Sequence, residues 1–222
     1  MRLEAERRAV VETARRMADS GLVINTAGNV SVRTGAWIAI TPNAAAYETM
    51  TPADVCLVDL SSGEADPDGL HPSSELPLHL EVYRTTSAQA IVHTHSHFAT
   101  VMSTIADELP AIHYQIVDLG GHVPVTPYAT FGSPELARAT AAGLAGRSAV
   151  LMRNHGVTTI ADDLPRALSR AFTVEWIASV YWHAKMLGTP TLIDAAELDR
   201  VRERQRAHTQ ERARRERKGR LR

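Results

Sequence analysis

Ala90-Ile91-Val92-His93-Thr94-His95-Ser96-His97 is an apolar run that ends in alternating histidines. Ile91 and Val92 favour a strand. Residues two apart on a strand point to one face, so His93 and His95 project together from its C-terminal end. They make a usable pair of zinc ligands. Zinc in a catalytic site takes three protein ligands and keeps one position open. His155 is the candidate for the third: it follows the apolar strand Ala149-Val150-Leu151-Met152 and precedes the flexible Gly156. The expectation is a neutral three-histidine site at two strand ends. Any one of these histidines alone reads equally as a hydrogen-bonded core residue. His97 shares their parity but lies past the strand end, and is read as structural.

Two polar stretches could complete such a site. Pro72-Ser73-Ser74-Glu75 opens a helix running to about Thr85. Unpaired N–H groups at a helix N-terminus suit an anion such as phosphate, and Ser73 and Ser74 add hydroxyl donors. On its own this tetrapeptide is plain N-capping. In Thr26-Ala27-Gly28-Asn29 the backbone at Gly28 can approach a ligand closely and Asn29 has two amide donors. Alone it is only a turn.

The rest of the chain supplies a frame. Leu3–Ser20 is an amphipathic helix with Val10, Val11, Ala14 and Met17 on one side. Asn29–Arg33 alternates like a strand, with Trp37–Thr41 as its hairpin partner across Thr34-Gly35. Thr51–Asp54 reads as a short helical turn and Val55–Leu60 as a strand. Helices are expected at Phe98–Ile105, Ser133–Leu144 and Leu164–Leu187, with strand-like Val123 and Val125 between the first two. Pro165 suits a helix start and Gly188 a stop. Asp194 to about Arg217 would be a last, charged helix. No repeat or linker interrupts residues 1–198, which reads as one α/β domain with a sheet covered by helices.

Of the 222 residues, 44% are hydrophobic, enough for a substantial core. Cys56 is the only cysteine and sits in an apolar run, so an inert buried thiol is expected and an intramolecular disulfide is excluded. No long apolar run marks a membrane span or signal peptide, and a cytoplasmic protein is the expectation. Charge is uneven: residues 199–222 carry 11 Lys+Arg against 4 Asp+Glu, the remainder 13 against 21. The basic tail, 199–222, reads as a solvated helical or frayed segment. Nothing aromatic lies beyond Trp182 to stack on a base, so neither nucleic acid nor membrane is expected as a partner.

Taken in order, Thr26-Ala27-Gly28-Asn29-Val30-Ser31, Thr41-Pro42, Pro72-Ser73-Ser74-Glu75, His93-Thr94-His95, Ala111-Ile112-His113-Tyr114, Pro127-Tyr128-Ala129-Thr130-Phe131-Gly132 and Asn154-His155-Gly156 resemble the class II aldolase/adducin family. The likeness covers roughly residues 3–190 and is nearest the branch that cleaves L-fuculose 1-phosphate. The resemblance implies a three-layer α/β/α sandwich around a mainly antiparallel sheet, and a cyclic homotetramer with active sites between subunits. It implies one Zn²⁺ per subunit on His93, His95 and His155, with another divalent metal an alternative. Glu75 would fill the open position at rest and act as catalytic base once displaced. Asn29, Ser73 and Ser74, with backbone at Gly28 and around Asn43-Ala44, would hold the phosphate of a phosphorylated ketose. Tyr114 would donate a proton in a neighbouring subunit's site, and Phe131 would line the aldehyde pocket. The reaction implied is reversible cleavage of a ketose 1-phosphate to dihydroxyacetone phosphate and a small 2-hydroxyaldehyde through a metal-stabilised enediolate.

Two features depart from that branch. Asn43-Ala44 stands where a hydroxyl residue and glycine are expected, which puts a Cβ where a left-handed backbone is called for. The C-terminal segment also lacks a tyrosine. Thr94 and Ser96 suit the pentulose-5-phosphate 4-epimerases of the family, but those carry aspartate in place of Glu75. Gly120-Gly121-His122-Val123-Pro124-Val125 suits its sugar-acid-phosphate decarboxylases. A non-catalytic adducin-like interaction module is the alternative from another class, and the complete histidine and glutamate set speaks against it.

Overall fold

The structure, a computed structural model, describes residues 1–219, so the end of the basic tail, 220–222, lies outside the described residues. Its strands are β1 (Asn29–Thr34), β2 (Trp37–Ile40), β3 (Cys56–Asp59), β4 (Ala90–Thr94), β5 (Glu108–Leu109), β6 (Val123–Thr126), β7 (Ala149–Met152) and β8 (Gly156–Ala161). They form one eight-stranded sheet in the order β3-β2-β1-β4-β8-β7-β6-β5. Every neighbouring pair is antiparallel except β6–β7. The helices are α1 (Glu4–Asp19), α2 (Leu76–Thr85), α3 (His97–Ile105), α4 (Pro134–Gly143), α5 (Leu164–Leu187) and α6 (Ala195–Gly219), with a 3₁₀ helix at Tyr114–Leu119.

Strand alternation sorts the core into layers. Val30, Ala39, Leu57, Ala90 and Val92 pack with α1 and the start of α5. The intervening residues Ile38, Ile40, Val58 and Ile91 face the other way, against α2 and α4. This is the expected three-layer α/β/α sandwich with a mainly antiparallel sheet. A third cluster joins α3, the 3₁₀ helix and the far part of α5 to β5–β7. Ile91 and Val92 are wholly buried, and each side chain contributes about 1.5–3 kcal/mol relative to an exposed one. Parity then places the site. His93 shares the face of Ile91 and so projects on the side of α2, the helix that Glu75 precedes.

Several expectations need correction. The expected strands omit β8, yet β8 pairs with β4 at the middle of the sheet, from Ala90↔Ala161 to Thr94↔Val157. The hairpin turn is Gly35-Ala36, because Thr34 still pairs with Trp37. Thr51–Asp54 is a turn and not a helix: the Asp54 carboxylate accepts from both the Thr51 amide and hydroxyl, each at 2.7 Å. The 3₁₀ helix and the short β5 were not anticipated. Cys56 is buried as expected, its Sγ 3.0 Å from the Leu70 carbonyl, and burial pushes its thiol up to about 11. The helix expected over Asp194–Arg217 is α6. Leu198 is buried and Val201 half-buried against the third cluster, and the residues from Glu203 to Glu211 are exposed. Among the described residues no helix is long and apolar enough to cross a membrane.

Candidate active site

Three elements bring the histidines together. His93 lies on β4, His95 just beyond its end, and His155 in the tight turn between β7 and β8. Asn154 reaches that turn in the left-handed conformation, φ 54°. Gly156 is required there, because a Cβ would sit 2.2 Å from the Thr94 carbonyl oxygen. The Nε2 atoms of His93 and His95 approach to 2.9 Å, and the three rings meet edge to face with centroids 4.7–5.0 Å apart. One ligand atom from each of Glu75, His93, His95 and His155 lies within 4.8 Å of the others. His97 opens α3 as an exposed residue against Phe98, outside this cluster.

Glu75 is not in the first turn of its helix, as expected, but at the N-cap position of α2. Its side chain does not cap; it turns inward and is 5% exposed. Oε2 accepts from Asn29 Nδ2 at 3.0 Å and lies 3.0 Å from His93 Nε2, while Oε1 lies 3.5 Å from His155 Nε2. Oε1 is buried with no hydrogen-bond partner among the described residues. A buried carboxylate oxygen left unpaired is costly, and a cation in the middle of the cluster would satisfy it.

Burial opposes protonation of His93, but Glu75 outweighs it and raises that ring above its ordinary value; the pattern at the other ligands agrees with a metal site. The His93 Nδ1–H donates to the Val157 carbonyl at 3.0 Å, which aims Nε2 at the cluster, the outer-shell arrangement typical of a metal-ligating imidazole. Burial, with the charge on His93, lowers His95 to about 3. The same causes lower His155 to about 4. Both are then neutral rings with a free lone pair. Burial opposes ionisation of Glu75, but His93, His155 and Asn29 outweigh it and keep the carboxyl below its usual range. Three histidines and a carboxylate are the donor set of a zinc-type divalent ion, so the residues present fit such an ion.

The sequence reading missed a buried chain behind Glu75. With Asn29 Nδ2 on Glu75, Asn29 Oδ1 faces His79 Nε2 at 2.5 Å, so Nε2 carries the proton. His79 Nδ1 then accepts from the Ser31 hydroxyl at 2.6 Å, and Ser31 lies 2.8 Å from the Tyr83 hydroxyl. Burial lowers His79 to about 3, which keeps it neutral. A signal was available: Glu75, His79 and Tyr83 recur every four residues and so share one helix face.

The anticipated anion-binding residues converge beside Glu75. Gly28, Asn29, Asn43, Ala44, Ser73, Ser74 and Phe131 all line one pocket of about 140 Å³ that also reaches His95 and His155. Gly28 is held at φ 84°, where a Cβ would come within 2.8 Å of the His93 carbonyl oxygen, and its own carbonyl accepts from the Tyr47 hydroxyl. Ala44 does adopt the left-handed backbone, φ 52°. Phe131 is 66% exposed at the rim. Tyr114 does not line this pocket. It starts the 3₁₀ helix, 49% exposed, and packs at a tilt against His113, which in turn meets Trp176.

Comparison with known proteins places this architecture. Residues 8–182 match the family described as "Class II Aldolase and Adducin N-terminal domain". A 5-deoxy-D-ribulose 1-phosphate aldolase of Bacillus thuringiensis is 37% identical over 204 residues, covering 90% of this chain and 95% of the relative. An L-fuculose phosphate aldolase of Haemophilus influenzae is 40% identical, covering 81% and 82%. A solved L-fuculose 1-phosphate aldolase superposes with a TM-score of 0.88 at 32% identity, covering 91% of this chain and 96% of the other. The chain belongs to the class II aldolase/adducin family, and to its aldolases, which are lyases.

Proposed function

We propose that this protein cleaves a ketose 1-phosphate between C3 and C4, releasing dihydroxyacetone phosphate and a small aldehyde, with a divalent metal ion, zinc in the first instance. The observation that carries the reading is the buried Oε1 of Glu75, unpartnered among the described residues, inside a three-histidine cluster, beside a pocket lined by Gly28, Asn29, Ser73 and Ser74. Relatives named for 5-deoxy-D-ribulose 1-phosphate and for L-fuculose phosphate support a ketose with a terminal deoxy carbon. With the former the aldehyde is acetaldehyde, with the latter a 2-hydroxyaldehyde.

His93, His95 and His155 would hold the ion, with the Glu75 carboxylate beside them as a further donor. The ion supplies positive charge against the negative charge that develops at the substrate carbonyl. Ser73, Ser74, Asn29 and the Gly28 and Asn43-Ala44 backbone hold the phosphate, which fixes the ketone end of the substrate. In the condensation direction the Glu75 carboxylate takes a proton from C3 of dihydroxyacetone phosphate, and the Tyr114 phenol of a neighbouring subunit gives its proton to the aldehyde oxygen as the C3–C4 bond forms and that oxygen becomes the C4 hydroxyl; solvent then takes the proton from Glu75 and returns one to Tyr114, and cleavage runs the same transfers in reverse. Tyr114 is exposed and lines no part of its own chain's pocket, so this role assigns it to the site of a neighbouring subunit in a homotetramer. Phe131 borders the aldehyde. Residues 1–198 form the catalytic domain, with 199–222 as a basic tail, in a cytoplasmic enzyme.

The test is a screen of ketose 1-phosphates and pentulose 5-phosphates for aldehyde release and for epimer formation, with and without a chelator. Aldehyde release from a ketose 1-phosphate, abolished by the chelator and restored by Zn²⁺, is expected. Epimer formation without free aldehyde would replace this reading with the epimerase.

A further inference from the structure

A second polar cluster lies outside this site. A cavity of about 520 Å³ separates α5 from α6 and shares no lining residue with the histidine pocket. Arg166 and Arg170, one turn apart on α5, line one wall; Arg202 and Arg206, one turn apart on α6, line the other. Asp118, at the end of the 3₁₀ helix, is the only carboxylate among the lining residues.

The face that α6 turns to the cavity is Arg202, Gln205, Arg206 and Thr209. That i, i+3, i+4, i+7 spacing is where a packed helix carries apolar residues. Here every position carries a hydrogen-bond donor, so the gap cannot close as a core. The guanidiniums are only partly matched. Arg166 lies 3.2 Å from Asp118, and Arg202 pairs with Asp199 on its own helix at 2.5 Å. Arg170 donates to the Ile160 carbonyl, yet its Nε is buried with no partner among the described residues. Burial also holds that guanidinium below its usual range. Four like charges around one space repel, and the two carboxylates that pair with them, Asp118 with Arg166 and Asp199 with Arg202, leave Arg170 and Arg206 without a salt bridge among the described residues.

The geometry points to a binding site for a small polyanion, a molecule with two or more phosphate groups, in the cavity between α5 and α6. Planar guanidiniums pair with phosphate oxygens through two parallel N–H bonds, and paired arginines on opposite walls suit two such groups. The volume falls in the range of small-molecule pockets, about 300–1,000 Å³. Beyond Val201 the described part of α6 is held by little apolar contact, so an occupant would tie that helix to α5. This inference does not rest on the proposed reaction.

Amide hydrogen exchange of the full metal-loaded chain tests it, with inorganic pyrophosphate as probe at about 0.15 M salt, where weak exposed attraction is screened. Exchange should slow in residues 164–173 and 199–210. The half-saturating concentration should rise about tenfold in Arg170→Gln and in Arg206→Gln. It should be unchanged in Arg204→Gln, which removes the same charge from α6 outside the lining. Arg206 is exposed, so its variant serves if loss of the Arg170–Ile160 bond disturbs folding. Inorganic phosphate should bind about tenfold more weakly. No protection on α5 and α6, equal loss in Arg204→Gln, or equal affinity for inorganic phosphate would each overturn the proposal.

Discussion

The histidine–glutamate cluster hangs from strand ends and a sealed layer, whereas the arginine cavity hangs from two helices and opens to water. In the first, Asn29, Ser31, Glu75, His79 and His93 are all under a tenth exposed. Their polar atoms are locked into one direction from Tyr83 to Glu75, and the one loose end is Glu75 Oε1. In the second, the Arg166–Asp118 pair is 51% and 41% exposed, and water can substitute for either partner. Fixed polar groups in a dry site stabilise charge without reorganising. Exposed pairs of long side chains contribute little until a ligand gathers them.

Substitutions can break or sharpen this contrast. The largest effect is expected at Glu75→Gln. It should retain stoichiometric divalent metal but slow proton exchange at C3 of dihydroxyacetone phosphate by about 10²–10⁴-fold; exchange at the original rate would remove Glu75 as the base. Gly156→Ala comes next. Its Cβ would collide with a backbone oxygen of the paired strand, which should cost about 3 kcal/mol and reduce metal content. A denaturation midpoint and a metal assay on one sample check both. His79→Leu strands the Asn29 carbonyl and the Ser31 hydroxyl in the core. A loss of about 2 kcal/mol is expected, with metal content kept, and an unchanged unfolding midpoint would show that the buried chain is dispensable. Asp118→Asn should be the mildest, within about 1 kcal/mol in the same unfolding assay. A larger loss would mean that the cavity is less open than its exposure indicates.

What the sequence revealed follows the same division. Helix α5 was legible to the residue, because Pro165 and Gly188 punctuate it and its length suits no strand. The histidines were legible because parity on a short strand needs no tertiary information. Strand β8 was not. Gly156-Val157-Thr158-Thr159-Ile160-Ala161 is buried on both faces, so it shows no alternation, and its first residue, Gly156, reads as part of the turn at His155. The inward turn of Glu75 was likewise hidden, since a residue in that position ordinarily points to solvent or caps its own helix. The arginine cavity needed the structure, because α5 and α6 carry its two halves in segments more than thirty residues apart.

On the proposed metal site, the β7–β8 turn would make the ion a witness to folding. His155 meets His93 and His95 only while β8 pairs with β4 in the register His93↔Thr158. A slip of one residue would carry it about 3.3 Å along the strand and turn β8 side chains to the opposite face. On the proposed metal site, bound divalent ion, counted per chain in a purified sample, would therefore report the fraction of molecules whose central strands are correctly aligned. Molecules that are compact but misaligned would escape a helix-content measurement and still be exposed by a missing ion.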